Sequence, residues 1–204
     1  MNDKGKIVAN SIPKRFFDVV FATVALCVTV LIFPIIAIGI KMQSKGPVFF
    51  KQQRDGLDGH SFLMYKFRSM HLNEEADTKQ ATGDDERVFP FGLFLRKTSL
   101  DELPQFWNVL IGDMSVIGPR PHMLVHTEMY SKLICNYTDR LSVRPGITGL
   151  AQVMGRRGET KELRLMSDRV KLDNFYIKHW SVWLDCRIIF LTFKTILLPD
   201  KNTY

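Results

Sequence analysis

The most continuous pattern along the chain is an apolar one. From Val19 to Ile40 it reads VVFATVALCVTVLIFPIIAIGI, 22 residues without a charge. At 1.5 Å per residue, a helix of that length reaches about 33 Å, enough to cross a hydrocarbon core of about 30 Å. The run is too long for the apolar region of a signal peptide, and no small-x-small cleavage pattern follows it. Pro34 lies within it, where it removes one backbone hydrogen bond and crowds the carbonyl of Val30. Basic residues stand at both ends: Lys4, Lys6, Lys14 and Arg15 before, and Lys41, Lys45, Lys51 and Arg54 after. Basic flanks favour the cytoplasmic side, so two such flanks give a crossing helix no preferred direction. Two readings fit: a proline-kinked transmembrane helix, and a re-entrant helix that breaks at Pro34 and returns to its face of entry. Asp18, just before the run, is a candidate partner for Lys14 or Arg15.

Beyond Ile40 the pattern changes. Two aromatic-rich runs, Pro47–Gln53 (PVFFKQQ) and Ser61–Phe67 (SFLMYKF), flank RDGLDGH and predict a β-hairpin. Residues 73–88 (NEEADTKQATGDDERV) are polar and acidic and read as an exposed loop. From Gly92 to Leu110 the spacing of Leu103, Phe106, Trp107 and Leu110 predicts one buried helix face. Glycine and proline punctuate 112–121 and 145–158. A helix is expected from about Lys161 to His179. The last stretch, Trp180–Leu198, mixes Trp180, Trp183, Phe190 and Phe193 with Asp185, Arg187 and Lys194, which fits an interfacial amphipathic helix or a core helix.

Composition narrows the partners. The chain carries 46% hydrophobic and 24% charged residues, which excludes a disordered polyelectrolyte, and its net charge of +7 favours an anionic partner. The cations are scattered between apolar runs and no recognition-module signature occurs, which argues against nucleic acid. Cys27, Cys135 and Cys186 are odd in number and far apart, so neither a disulfide framework nor a zinc site is supported. There is no Walker A motif, no G-x-G-x-x-G, no H-x-x-x-H and no G-x-S-x-G.

Reactive side chains are densest between Arg96 and Arg120. In Thr98–Gln105 (TSLDELPQ), Asp101 and Glu102 open a helical pattern. Ser99 with Glu102 matches the capping box S-x-x-E, and Asp101 as N-cap would leave Pro104 in the permitted first turn. The same geometry suits chemistry, because a helix start stabilises anions and an ionised aspartate can attack a phosphoryl group. Adjacent helical residues point about 100° apart, so the two carboxylates would divide the work: one attacks, the other orients it or helps hold a metal ion. Arg120, between two prolines in GPRP, presents its guanidinium at low entropy cost and suits a bidentate grip on phosphate. Lys66 and Arg68 in YKFRSM, Arg96 with Lys97, Arg144 in RPGITG and the pair Arg156–Arg157 are further phosphate-binding candidates.

These residues resemble a known family. KRFFD (Lys14–Asp18), YKFRSM (Tyr65–Met70), SLDELPQ (Ser99–Gln105) and GDMSVIGPRP (Gly112–Pro121) are similar to the motifs of bacterial monotopic phosphoglycosyl transferases. These are polyprenyl-phosphate hexose-1-phosphate transferases that begin capsule, O-antigen and exopolysaccharide synthesis. The resemblance runs from about Lys14 to Leu198. It implies a re-entrant membrane helix, an active site facing the cytoplasm at the bacterial inner membrane, and a Mg²⁺-dependent ping-pong reaction. Asp101 would attack the sugar-bearing phosphate of a UDP-sugar and release UMP, and undecaprenyl phosphate would then take the phosphosugar. Glu102 would support Asp101 and the metal; Lys66, Arg68, Arg96, Arg120 and Arg144 would bind phosphates.

RPGITGLAQVMGRRGET (Arg144–Thr160) and WSVWLDCR (Trp180–Arg187) resemble the glucose-1-phosphate branch, so UDP-glucose is the first-choice donor, ahead of galactose or an N-acetylated sugar. Long members of that branch carry extra transmembrane helices upstream, and the chain resembles their catalytic part. Many members have serine before the helix-breaking proline; Phe33 stands here, and it cannot satisfy a freed carbonyl.

The expected fold is α+β and mostly helical: a monotopic membrane protein with an N-terminal re-entrant helix, a small β-hairpin and interfacial amphipathic helices. Residues 1–45 would form the membrane segment and 46–204 the cytoplasmic catalytic domain. The expected partners are a UDP-sugar, undecaprenyl phosphate and the lipid bilayer, with a homodimer compatible with them and no nucleic acid.

Overall fold

The structure is a computed structural model that describes residues 3–72, 85–156, 158 and 162–197. Most of the acidic stretch 73–88, and Arg157, lie outside the described residues. The fold is mostly helical, with two small sheets.

Helix α1 (Asp3–Ala9) leads through Ser11 into α2 (Ile12–Gln43). The Ser11 hydroxyl accepts from the Lys14 amide, and Pro13 sits in the first turn, where its missing N–H costs nothing. The break expected at Pro34 does not interrupt the helix: α2 continues through it as one element. It is the one helix among the described residues long and apolar enough to cross a membrane.

Its two faces differ in what they meet. Lys14, Asp18, Ala22, Thr29, Ile36 and Ile40 are buried against the rest of the chain at steps of four and seven residues. Phe16, Val20, Val24, Val28, Leu31, Ile35, Ile38 and Met42 run along the opposite side at steps of three and four, exposed up to 79% at Leu31 and 81% at Met42. Phe33 lies toward the inner side, stacked on Phe49 at 5.7 Å, with Phe49 in turn stacked on Phe67 at 5.4 Å.

Strands β1 (Phe49–Asp55) and β2 (Ser61–Phe67) form the expected antiparallel hairpin, with Phe49 opposite Phe67 and Asp55 opposite Ser61. Asp58 and Gly59 turn it with positive φ. The helical pattern over Gly92–Leu110 resolves into two short helices, α3 (Pro90–Lys97) and α4 (Gln105–Ile111), separated by a 3₁₀ turn at Leu100–Glu102. Ser99 adopts φ 57°, which no α-helix allows, and Pro104 bars continuation from the other side. Trp107 consequently points outward and stands 49% exposed, while Phe106 and Val109 are buried.

A parallel pair of three-residue strands follows, β3 (Ser115–Ile117) on β4 (Gly146–Thr148), in the two segments that read only as punctuated loops. Between them lie α5 (Leu124–Leu133) and a 3₁₀ helix at Tyr137–Ser142; after β4 come α6 (Leu150–Val153), α7 (Leu163–His179) and α8 (Val182–Leu197). Helix α8 exposes Trp183, Phe190 and Phe193 and buries Asp185 and Ile188.

The main core joins Ala22 of α2, Phe106 and Val109 of α4, Val116 and Ile117 of β3, Tyr176 and Ile177 of α7 and Ile188 of α8. A second cluster packs Ile36 and Ile40 of α2 against Phe67, Phe89 and Leu95. Leu103 borders both clusters, so the two ends of α2 rest on one body.

One close approach fixes α3. A Cβ on Gly92 would lie 2.0 Å from the Ser69 carbonyl oxygen, a backbone atom that cannot swing aside. Gly92→Ala is therefore expected to destabilise the fold by about 1–3 kcal/mol. Gly158→Ala, with nothing within 4 Å of its Cβ, should be near neutral. The denaturant midpoints of the two variants in detergent check this.

Candidate active site

Three separate segments bring charge to one place. Lys66 sits on β2 opposite Phe50. Asp101 and Glu102 occupy the 3₁₀ turn, and Arg120 follows β3. Glu102 is the junction. Its Oε1 accepts from Lys66 Nζ at 3.0 Å and from Arg120 Nη2 at 2.8 Å. All three side chains are at least half-buried, which strengthens both pairs relative to surface ones.

Asp101 is different. It is buried, yet it accepts no hydrogen bond among the described residues, and its charge is felt by Lys66, Arg96 and Arg120. Burial pushes its carboxyl up to about 6, with Lys66 opposing the rise and Glu102 adding to it. The ammonium of Lys66 is pulled below its ordinary value by burial, against the pull of Glu102. Arg120 is pushed up by Glu102.

The capping reading of TSLDELPQ is not realised as expected. Ser99 lies in the left-handed region and its side chain makes no capping bond, and the residue that caps α4 is Pro104 rather than Asp101. The carboxylates therefore face the site from a 3₁₀ turn rather than from the first turn of α4.

Other residues hold these three segments in register. Asn108, fully buried on α4, accepts from the Tyr65 amide (3.1 Å) and donates to the Leu63 carbonyl (2.8 Å), which docks β2 and hence Lys66 beside the carboxylates. The Arg120 carbonyl accepts from Arg140, whose buried guanidinium pairs with Asp173 of α7 at 2.9 Å. Glycines allow β3 and β4 to meet: a Cβ on Gly146 would stand 2.1 Å from the Gly118 nitrogen. Gly118 then donates to the Thr148 carbonyl and Gly146 to that of Pro119, which sets the direction of the GPRP segment.

Of the candidate residues, Lys66, Asp101, Glu102 and Arg120 come together, with Arg96 near enough for its charge to act on Asp101. Arg68 and Arg144 do not. Arg68 is buried and donates to the Ser44 and Lys45 carbonyls just beyond the C-terminus of α2, so helix ends that need donors have claimed it. Arg144 donates to the carbonyls of Gly112 (2.8 Å) and Ala9 (2.5 Å), tying α1 to the turn after α4. Arg156 reaches Asp168 at 3.5 Å. Asn108, Arg140 and Asp173 had no signal in the sequence, because the partners through which they hold the site lie 20 or more residues away and leave no spacing pattern.

No three His, Cys, Asp or Glu side chains converge among the described residues. Asp101 and Glu102 still suit a hard cation such as Mg²⁺, which takes one or two carboxylates and completes its shell with water and substrate phosphates.

A mostly helical body with one long apolar helix thus carries a buried carboxylate close to cations of a kind able to hold phosphate. The chain belongs to the bacterial sugar transferase family, which it matches over residues 9–199. It is 52% identical over 195 residues to the UDP-glucose:undecaprenyl-phosphate glucose-1-phosphate transferase of Xanthomonas campestris pv. campestris, covering 95% of this chain and 40% of that protein. With proteins of the same name it shares 50% identity in Escherichia coli (90% and 40% covered) and 44% in Caulobacter vibrioides (97% and 74% covered). The chain thus spans about 40% of the length of the first two.

The raised carboxyl of Asp101 has a measurable consequence. Its folded-state value, about 6, lies above the ordinary 3.8. It therefore favours the fold while protonated, and that contribution is lost as pH rises through 6. At pH 7.5 in EDTA, Asp101→Asn is expected to raise stability by on the order of 1–3 kcal/mol. The gain should vanish at pH 4, and unfolding curves at the two pH values test both points.

Proposed function

We propose that the chain transfers a hexose-1-phosphate, glucose-1-phosphate as first choice, from a UDP-sugar to undecaprenyl phosphate at the cytoplasmic face of the bacterial inner membrane. This would begin the synthesis of an exopolysaccharide, capsule or O-antigen. The observation that carries the proposal is Asp101: a buried carboxylate that accepts no hydrogen bond among the described residues and feels the charges of Lys66, Arg96 and Arg120. The names of the relatives support the glucose donor and the undecaprenyl acceptor.

In the first half-reaction an Asp101 oxygen attacks the sugar-bearing phosphorus, and the bond from that phosphorus to the bridging oxygen breaks. UMP leaves with both electrons of that bond. Lys66, Arg96 and Arg120 neutralise the phosphoryl oxygens during transfer. Glu102, gripped by two cations, keeps Lys66 and Arg120 in place and leaves Asp101 free to react. In the second half-reaction an oxygen of undecaprenyl phosphate attacks the same phosphorus and the Asp101–phosphorus bond breaks, which regenerates the carboxylate. Asp101 and Glu102 would hold the Mg²⁺, which when bound screens charge between nucleophile and diphosphate.

What supports the re-entrant disposition is that both ends of α2 rest on one body, although the helix runs through Pro34 without a break. Asp18 binds β3 at one end, and Ile40 and Ser44 meet Phe67 and Arg68 at the other. A helix crossing the bilayer would carry its far end away from that body. The exposed stripe from Phe16 to Met42 is apolar throughout, which suits a face turned to lipid, and α8 offers Trp183, Phe190 and Phe193 at headgroup depth. We read residues 1–45 as the membrane segment, rooted in a catalytic domain of residues 46–204.

With UDP-glucose, Mg²⁺ and undecaprenyl phosphate in nanodiscs, the expected nucleotide product is UMP, and Asp101→Asn should lower the rate by at least about 10³-fold. UDP as product would point to a glycosyl rather than a phosphoglycosyl transfer and sink the proposal. For topology, cysteines placed at 4 and 51 in a chain cleared of Cys27, Cys135 and Cys186 should both react with an impermeant label from the same face. Labelling from opposite faces would reject the re-entrant reading.

A further inference from the structure

The root of α2 grips the active site from behind. Arg15 donates from Nη1 to the Val109 carbonyl at 2.6 Å and from Nη2 to the Leu110 carbonyl at 2.8 Å. These are carbonyls of the last turn of α4, where the helix runs out of its own i+4 donors and only the Gly112 amide, at 3.2 Å, reaches Val109. One turn further along α2, Asp18 is almost fully buried, and its Oδ1 accepts from the Ser115 hydroxyl at 3.0 Å and from the Val116 amide at 2.9 Å. Those two groups begin β3. The two side chains, three residues apart on one helical face, thus hold the end of α4 and the start of β3 together.

What α4 and β3 connect gives this grip a consequence. Glu102 lies three residues before α4, and Arg120 lies three residues after β3. The segment from 102 to 120 is a U: α4 is one arm, the turn through Gly112 and Met114 is the bend, and β3 with Gly118 and Pro119 is the other arm. Its open end is closed by the Glu102–Arg120 ion pair at 2.8 Å. Its bend is where Arg15 and Asp18 attach. A slide of one arm against the other at the bend is carried along two short rigid elements to the tips. There it would pull Arg120 from Glu102 and alter the cation ring around Asp101.

Resting on the reading of Asp101 as nucleophile, we propose that Arg15 and Asp18 are positioning residues for the transfer reaction, acting through α4 and β3 on the Glu102–Arg120 pair. The apolar helix is then more than an anchor. Its first turns set the alignment on which phosphoryl transfer depends.

The test is the UMP burst in nanodiscs with UDP-glucose and Mg²⁺ but no acceptor lipid, in which each competent chain releases one UMP. The burst amplitude counts competent molecules and the burst rate constant reports alignment, so loss of folded protein lowers the first and leaves the second untouched. Asp18→Ala and Arg15→Ala are each expected to lower the rate constant by about tenfold to a hundredfold, with the donor concentration at half-maximal rate within about twofold. Asp18→Asn keeps an acceptor oxygen for Ser115 and Val116 and should recover most of the rate. Ser115→Ala removes one of the two donors to Asp18 at little risk to folding and should slow the burst a few-fold. Unchanged rate constants in Ser115→Ala and in whichever alanine variants still give a burst would overturn the proposal and leave these residues as anchors of the fold. A wild-type chain without a burst would instead overturn the covalent reading beneath it.

Discussion

A buried carboxylate shared by two cations organises this fold. Glu102 accepts from both Lys66 and Arg120 on a single oxygen, and breaking either pair would leave a charge desolvated without its partner, a cost of about 3–5 kcal/mol for buried pairs. Lys66, Glu102 and Arg120 belong to a hairpin, a 3₁₀ turn and a loop after a strand, none of which is stable alone. Much of the remaining architecture serves to make their meeting possible. Asn108 docks the hairpin on α4, Gly118 and Gly146 let two strands approach, and Arg140 with Asp173 holds the backbone of Arg120 from the other side.

That arrangement explains why Asp101 tolerates an unfavourable setting. Its neighbour Glu102 takes the two closest hydrogen bonds from the cations, so Asp101 is left with their fields but without their donors. Burial then outweighs the attraction and its carboxyl rises to about 6. A carboxylate that is ionised at neutral pH yet weakly solvated is a better nucleophile than one wrapped in hydrogen bonds. The left-handed Ser99 and the tight 3₁₀ turn are the local costs of aiming it into the site. Stability and reactivity are opposed at this one residue.

Long elements and the central pair were legible in the sequence, because both depend on neighbours along the chain. The uncharged run became α2, the aromatic runs became β1 and β2, and the stretch before His179 became α7. The cations were harder. Arg68, Arg120 and Arg144 look alike as residues, each beside glycine, proline or an aromatic run, but only Arg120 reaches the carboxylates. Arg68 and Arg144 are held by main-chain carbonyls that no motif announces. Strands β3 and β4 were missed because three residues carry no readable alternation, and the 3₁₀ turn inside the helical pattern over 92–110 was missed because Ser99 and Pro104 fit a helix start at Asp101 equally well. Phe33 illustrates a subtler limit. Taken alone before Pro34 it lacks the hydroxyl that would satisfy a freed carbonyl, but in the fold it stacks on Phe49, lies tilted against Phe67 and holds that part of α2 on the hairpin.

The two faces of α2 join these observations. Its outer stripe exposes eight large apolar side chains in a row, a patch of the kind that marks an interaction surface. Its inner face carries Lys14, Asp18 and, beside them, Arg15, polar groups that a lipid-facing helix would not keep unless each were paired. They are paired, and the partners lie on α8, β3 and α4, the last two flanking the site. A helix built only to anchor would need the outer face alone. The inner face ties the position of α2 to the elements that carry Glu102 and Arg120. Under the proposed reaction, with its acceptor held in a bilayer, such a tie would make the surface turned to lipid and the frame around Asp101 one rigid piece.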